Sequence, residues 1–422
     1  METSEAHRTA ETVFRMERAR LIAGLARIVR DVGRAEELAQ DALVAALDRW
    51  PTSGIPDNPA GWLMATAKRR AIDTIRRARM MERKHAEIGR DLELEQDSTI
   101  DAIEATMDDD IGDERLGLIF TACHPLLSMD ARVALTLRLI GGLTTDEIAR
   151  AFLSSETTIA QRIVRAKKSL ANAGIAYEVP RGADRDARLA SVLEVVYLIF
   201  NEGYAASAGE DAIRPQLCAE AMRLGRILAD LAPDEPEVHG LLALMEIQSS
   251  RLIARNGPDG VPLTLETQNR ARWDQLLIHR GFAALERVRA LGEEDGPYAL
   301  QAALAACHAR ARRFEDTDWR MIAGLYDRLL TVLPSPVVAL NRAVAHAMAF
   351  GPETGLAQLD MLEDEPALKG YAPMAAARGD FLLRAGRLSE ARVAFERAAE
   401  LSGNAGERAF LLDRAQACAT MG

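Results

Sequence analysis

Between His85 and Glu114 stand twelve carboxylates against the single Arg90, a net charge of −11 within thirty residues. A run so self-repelling and so poor in apolar groups stays solvated, and no hydrophobic core forms across it. The 422 residues must therefore divide into compact units on either side. The whole chain also carries −11, so everything outside this run is neutral overall. Its flanks lean the other way. Trp62 to Lys84 holds eight bases against Asp73 and Glu82, and Thr157 to Leu170 holds Arg162, Arg165, Lys167 and Lys168 with no acid. Either basic run alone reads as a solvated helix face. Two of them around an acidic tether form the footprint of a nucleic-acid binder, which depends on local charge and not on the global balance.

Hydrophobic periodicity makes the chain all-α. Phe14, Leu21, Leu25, Ile28 and Val29, then Leu38, Ala42, Leu43, Ala46 and Leu47, fall at helical spacing, and Asp31-Val32-Gly33 separates two helices. Pro51 to Gly61 carries three prolines and two glycines and reads as a loop. Asn58-Pro59 then caps a third helix, which turns Leu63, Ala67 and Ala71 inward and its arginines outward. No apolar run reaches the roughly 18–20 residues of a membrane span. The polar, acid-bearing N-terminus lacks the apolar core of a secretion signal. A soluble, cytoplasmic protein without membrane contact is expected.

A second compact unit is expected over 113–174. Ser128 caps a helix that Gly141-Gly142 ends. Leu143 to Leu153, a turn at Ser154-Ser155, and Glu156 to Leu170 then form a helix-turn-helix pattern with a basic second helix. Ile148, Ala149, Phe152, Ile159 and Ile163 close its core, leaving Thr158, Gln161, Arg162 and Arg165 on the outer face. Arg and Gln suit base edges in the major groove, while Lys167 and Lys168 suit phosphates.

Beyond residue 184, helical hairpins recur with a degenerate 34-residue tetratricopeptide pattern. Gly379, Ala391, Phe395 and Ala398 match its positions 8, 20, 24 and 27; Tyr326 with Pro334, and Ala221 with Pro233 and Ala243, match others. The segment Arg255 to Gly260 interrupts it, so 184–422 reads as an irregular helical-repeat domain suited to protein contact.

Together these residues resemble a known family. Ala35-Glu36-Glu37-Leu38-Ala39-Gln40-Asp41-Ala42 is similar to region 2.2 of sigma-70-type factors. Trp62-Leu63 through Ala71-Ile72-Asp73 to Arg76-Arg77 is similar to regions 2.3 and 2.4, and Leu143 to Leu170 to region 4.2. Only these two sigma regions appear, which is the extracytoplasmic-function type. Phe120-Thr121-Ala122-Cys123-His124-Pro125 and Tyr197 to Tyr204 resemble a narrower group with a long tetratricopeptide-like C-terminal extension.

The resemblance implies a division into region 2 (8–84), an acidic linker (85–112), region 4 (113–174) and the extension (184–422). It implies a transcription initiation factor that binds core RNA polymerase through the β′ and β subunits and directs it to promoter DNA. Glu37, Gln40 and Asp41 would dock on the polymerase. Trp62, Lys68, Arg69, Arg70, Arg76 and Arg77 would hold the −10 element, whose open strand cations and base-sized pockets favour. Thr158, Gln161, Arg162, Arg165, Lys167 and Lys168 would read the −35 duplex. Two departures stand out: Arg69 occupies a position where many relatives have Asn, and Leu153-Ser154-Ser155 replaces the usual glycine of the helix-turn-helix turn.

The extension could receive a regulatory protein or ligand. Phe200-Asn201-Glu202-Gly203-Tyr204 reads either as a ligand-sensing element or as a Gly-capped helix end with a packed Tyr. A rival reading, a polymerase-independent helix-turn-helix regulator with a repeat sensor, accounts for 128–170 but not for the helix at 36–41 or the basic helix at 62–84. Nothing suggests an enzyme: the seven histidines are dispersed and no phosphate loop, HExxH or GxSxG occurs. The four cysteines share no metal-ligand spacing, so no metal, cofactor or disulfide is expected. Cys123-His124 and Cys307-His308 read as packed thiols beside histidines, not as nucleophile–base pairs.

Overall fold

The computed structural model describes residues 2–86, 111–152, 154–175, 177, 179–204, 214–255, 257, 263–403 and 405–421. Among them no strand occurs, and the helices divide into two compact units, Met1–Leu231 and Ala232–Gly422.

The first unit opens with three helices: α1 (Glu2–Val29), α2 (Val32–Ser53) and α3 (Pro59–Ala86). Arg30 takes the left-handed region at φ 52°, and Asp31 then caps α2 by accepting from the Arg34 amide at 2.9 Å. The expected loop is shorter than its prolines suggest. Pro51 lies inside the last turn of α2, which runs on to Ser53 and stops at Gly54 with φ 84°. Asn58 caps α3 through the Gly61 amide at 2.9 Å, as the sequence implies. Leu63, Ala67 and Ala71 are buried, and Trp50 meets Trp62 edge to face at 5.5 Å. Of the acidic linker, residues 87–110 lie outside the described residues; its ends close α3 and open α4.

Next come α4 (Ile111–Ala122), α5 (Met129–Thr136) with a π turn at Leu137–Gly141, α6 (Thr145–Ala151) and α7 (Glu156–Asn172). Gly142, at φ 76°, releases the chain after the π turn. Thr144 and Glu147 form a reciprocal capping box at the start of α6, and Ser155 caps α7. Ile148, Ala149, Ile159 and Ile163 are buried and Phe152 half-buried, closing the helix-turn-helix core.

Two further helices, α8 (Gly182–Tyr204) and α9 (Pro215–Leu231), belong to this unit although the extension begins at residue 184 in the sequence reading. The reason is apolar: Val192, Val195, Val196, Ile199 and Phe200 are buried, with α8 packed on α4, α5 and α9. Polar contacts fix the seam. Arg188 donates to the Phe120 carbonyl at 3.0 Å, Ser191 to the Cys123 carbonyl at 2.9 Å, and Arg132 to the Ser191 hydroxyl at 3.0 Å. The 120–125 motif is thus a dock for α8. Gly203 is no left-handed cap; it lies within α8, and a Cβ there would meet the Cys218 amide nitrogen at 2.7 Å. Its missing side chain lets α9 approach, while Tyr204 stacks on Phe200 at 5.5 Å.

The second unit runs through α10 (Pro236–Ser249), α11 (Gln275–Leu291), α12 (Pro297–Arg310), α13 (Trp319–Val332), α14 (Pro336–Phe350), α15 (Pro352–Met361), α16 (Ala372–Arg384), α17 (Leu388–Leu401) and α18 (Ala405–Met421). From α12 onward each helix packs on the next, so the core is a string of local clusters. At α16–α17, Gly379 lies against the Phe395 ring, where a Cβ would come within 2.8 Å. Ala391, Phe395 and Ala398 are buried with it. Glu237 ties α10 to α12 by accepting from the Tyr298 and Ala299 amides at 2.8 and 3.0 Å. The interrupting segment Arg255 to Gly260 lies mostly outside the described residues.

Candidate nucleic-acid interface

Helix α2 buries its small residues, Ala35, Ala39, Ala42 and Ala46, and so comes close to α1. Its opposite side carries Glu37, Asp41, Val44 and Asp48 at helical spacing, all exposed. Gln40 is half-buried at the edge of that stripe. Glu37 pairs with Arg34 at 2.8 Å in open solvent.

The cations expected on α3 do not form one face. Arg69 and Arg76 are exposed opposite the buried Leu63–Ala67–Ala71 stripe, on the side of half-buried Trp62, and Arg77 is exposed beside them. Lys68 is half-buried on another flank. Arg70 turns back on α2, donating to the Asp41 carbonyl at 2.7 Å with the Asp41 carboxylate 3.6 Å away.

On α7, Gln161, Arg165 and Lys168 are exposed, as a reading face requires. Thr158 is exposed too, but its amide and hydroxyl both bond the Ser155 hydroxyl, at 3.1 and 2.7 Å. Arg162 departs from the expectation of a free outer position: it is half-buried, 3.1 Å from the Asp130 carboxylate on α5. Lys167 departs further. Its ammonium is bonded to Glu36 of α2 and not turned outward to a phosphate.

Glu36 is the residue the sequence reading missed. Its side chain is only 7% exposed, against 66% for neighbouring Glu37. It accepts from Arg18 of α1 at 2.5 Å, from Arg138 of the π turn at 2.9 Å, and from Lys167 of α7. Burial pushes its carboxyl up, but Lys167 first, then Arg138 and Arg18, more than offset that and hold it below the usual range. A depressed carboxyl contributes stability that is present above its unfolded value and lost as pH falls through the folded one. Acidification below the ordinary 4.5 is therefore expected to loosen α7 from α2. Hydrogen exchange of residues 156–172 should rise there and stay low at neutral pH; unchanged exchange would contradict the assignment.

Both cysteines of the Cys–His pairs are buried, while His124 is half-buried. Burial pushes the Cys123 thiol up to about 11, and burial lowers His308 to about 4. All four cysteines are buried and free. Among the described residues no cluster could hold a metal ion, and no helix is long and apolar enough to cross a membrane.

The comparisons with known proteins follow this layout. The models of Sigma-70 region 2 and Sigma-70, region 4 match residues 13–80 and 118–170. A family of unknown function (DUF6596) matches 188–289. An uncharacterized protein of Rhizobium meliloti is 42% identical over 396 residues, covering 93% of this chain and 92% of the relative. The ECF RNA polymerase sigma factor SigK of Mycobacterium bovis is 30% identical over 151 residues, 35% of this chain and 75% of the relative. The chain belongs to the sigma-70 family, as an extracytoplasmic-function sigma factor with a C-terminal extension. A probable ECF RNA polymerase sigma factor, SigI of Mycobacterium tuberculosis, is 30% identical over 175 residues, 41% of this chain and 58% of that relative.

In this sigma factor, α1–α3 are the region 2 module and α4–α7 carry region 4. Its family implies core RNA polymerase and promoter DNA as partners, and sigma factors are not enzymes. The signal that could have revealed Glu36 is its place: it is an acid at the edge of the buried face of α2, beside Val32 and Ala39, where a buried charge needs partners.

Proposed function

We propose that this sigma factor docks on core RNA polymerase through the exposed stripe Glu37, Gln40 and Asp41 of α2. The −10 strand would lie along α3, with Arg69, Arg76 and Arg77 on its phosphates and Trp62 offering a stacking surface. Lys68 and Arg70 would join once Arg70 leaves Asp41. The −35 duplex would meet α7 through Thr158, Gln161, Arg162, Arg165, Lys167 and Lys168. The observation that carries this reading is the division of charge within one small module. Outward carboxylates line α2 and outward guanidinium groups line α3, so protein and nucleic acid can be held on different faces at once. The extension beyond the first unit is proposed as a regulatory or protein-contact domain, its packed hairpins offering a long surface.

Two substitutions test the DNA side on promoter fragments selected by the holoenzyme. Arg165→Ala should lower affinity by about 1–3 kcal/mol and relax selection at one base position. Lys168→Ala should weaken all fragments alike and lower the salt slope by about 1. An Arg165→Ala holoenzyme with unchanged affinity and selectivity would remove α7 from the reading role.

A further inference from the structure

Helix α6, the first helix of the helix-turn-helix, is seven residues long, about 10 Å. It packs on α7 and on the preceding π turn, and a helix this short has little stability of its own. The angle it keeps is therefore set by what holds its ends. Two arginines from beyond region 4 do so. Arg214, at the entry to α9, donates to the Ala151 carbonyl at 2.5 Å, one of the last-turn carbonyls that no intrahelical amide satisfies. Arg223, further along α9, donates at 2.9 Å to the Ile140 carbonyl, near the end of the π turn that leads into α6.

Each arginine is held in turn by an acid. Glu202, in the last turn of α8, pairs with Arg214, the two side chains being only 18% and 12% exposed. Arg214 is also anchored through its own amide, which donates to the Gly203 carbonyl at 2.6 Å. Glu220, one turn earlier on α9, takes two donors of Arg223 at 2.7 and 2.9 Å. Gly141 allows that second approach, since a Cβ there would come within 2.9 Å of the Glu220 carboxylate. A guanidinium suits both places, bringing positive charge to the negative end of a helix and several donors in a fixed plane. The acid of the Phe200–Tyr204 run thus reaches the helix-turn-helix through Arg214, beside the turn that lacks the usual glycine.

We propose that Arg214 and Arg223 are positioning residues for the −35 element: they fix both ends of α6 and so the angle at which α7 enters the groove. The inference rests on the functional reading above. In a helix-turn-helix the first helix crosses the phosphate backbone and the second reads base edges, so a tilt of α6 carries every reading side chain of α7 with it. Hydrogen bonds to base edges weaken steeply when misaligned, and a lost bidentate pair forfeits discrimination between bases. The reading unit therefore extends to α9, although neither arginine touches DNA.

The test is selection, by holoenzyme carrying the full chain, among promoter fragments varied one base at a time across the −35 element. Arg223→Ala and Arg214→Gln are each expected to reduce the preference for the best fragment by about three- to tenfold, at several positions, where Arg165→Ala relaxes one. Preference ratios do not depend on how much of the protein is folded, so loss of stability alone leaves them unchanged. The salt dependence should stay native; a slope lowered by about 1 would make the residue a phosphate ligand and overturn its positioning role. Native ratios in a folded variant would remove that residue from the role, and in both would overturn the proposal. Arg223 is 43% exposed, so its truncation leaves the fold intact, and Arg223→Ala decides alone if Arg214→Gln does not fold. A native holoenzyme without any preference at −35 would fault the functional reading instead.

Discussion

A chain ended after residue 183 is expected to lose region 4, whereas a chain ended after residue 231 keeps it. The first cut strips α8 from α4 and α5, baring the faces against which Val192, Val195, Val196, Ile199 and Phe200 are buried. Fully burying each large apolar side chain is worth about 1.5–3 kcal/mol, so five of them amount to about 7.5–15 kcal/mol, comparable to the whole stability of a small domain. The carbonyls of Phe120 and Cys123 lose their donors as well. The second cut falls between the two compact units and removes none of these contacts. Circular dichroism and a single cooperative melt for the 231-residue form, against aggregation of the 183-residue form, are the expected readings. Two equally folded products would show that α8 is dispensable to region 4. The 231-residue form is then the one with which to ask whether the extension regulates: unchanged transcription on its removal would exclude that role.

The second large effect separates two adjacent acids. Glu36→Gln leaves Arg18, Arg138 and Lys167 around a neutral amide, and breaking a buried ion cluster this way costs about 3–5 kcal/mol. Glu37→Gln removes a solvent-exposed partner of Arg34 and should change stability by less than about 0.5 kcal/mol. Denaturation of the 231-residue form, with hydrogen exchange in residues 156–172, reads both variants. A Glu36→Gln chain as protected as the native one would mean that the cluster does not hold α7.

The same pair shows how far the sequence speaks. Helix periodicity places α2, the Asp31 break and the Asn58 cap, and the structure has all three. The helix-turn-helix core is likewise written in Ile148, Ile159 and Ile163. Yet Glu36 and Glu37 look alike as letters, and only packing distinguishes them. Glu36 is satisfied by cations 18, 102 and 131 residues away, and no local pattern encodes such partners. Lys167 reads as a phosphate ligand for the same reason: its burying partner is distant in sequence. Pro51 misleads differently, since a proline marks a loop only where its ring would collide with the preceding turn, and the end of α2 accommodates it. Gly203 reads as a helix stop because glycine favours left-handed backbone; here the absence of a Cβ matters for the approach of α9.

If α2 joins this factor to polymerase, the immobilised full chain captures bacterial core RNA polymerase and a charge reversal on α2 abolishes the capture. Asp41 is exposed and its carboxylate is only a loose partner of Arg70, which keeps its bond to the Asp41 carbonyl, so Asp41→Arg should leave the fold intact. The native chain is expected to retain polymerase and the Asp41→Arg chain to lose it. Equal capture by both would move the docking face off α2, and no capture by either the full chain or the 231-residue form would contradict the account.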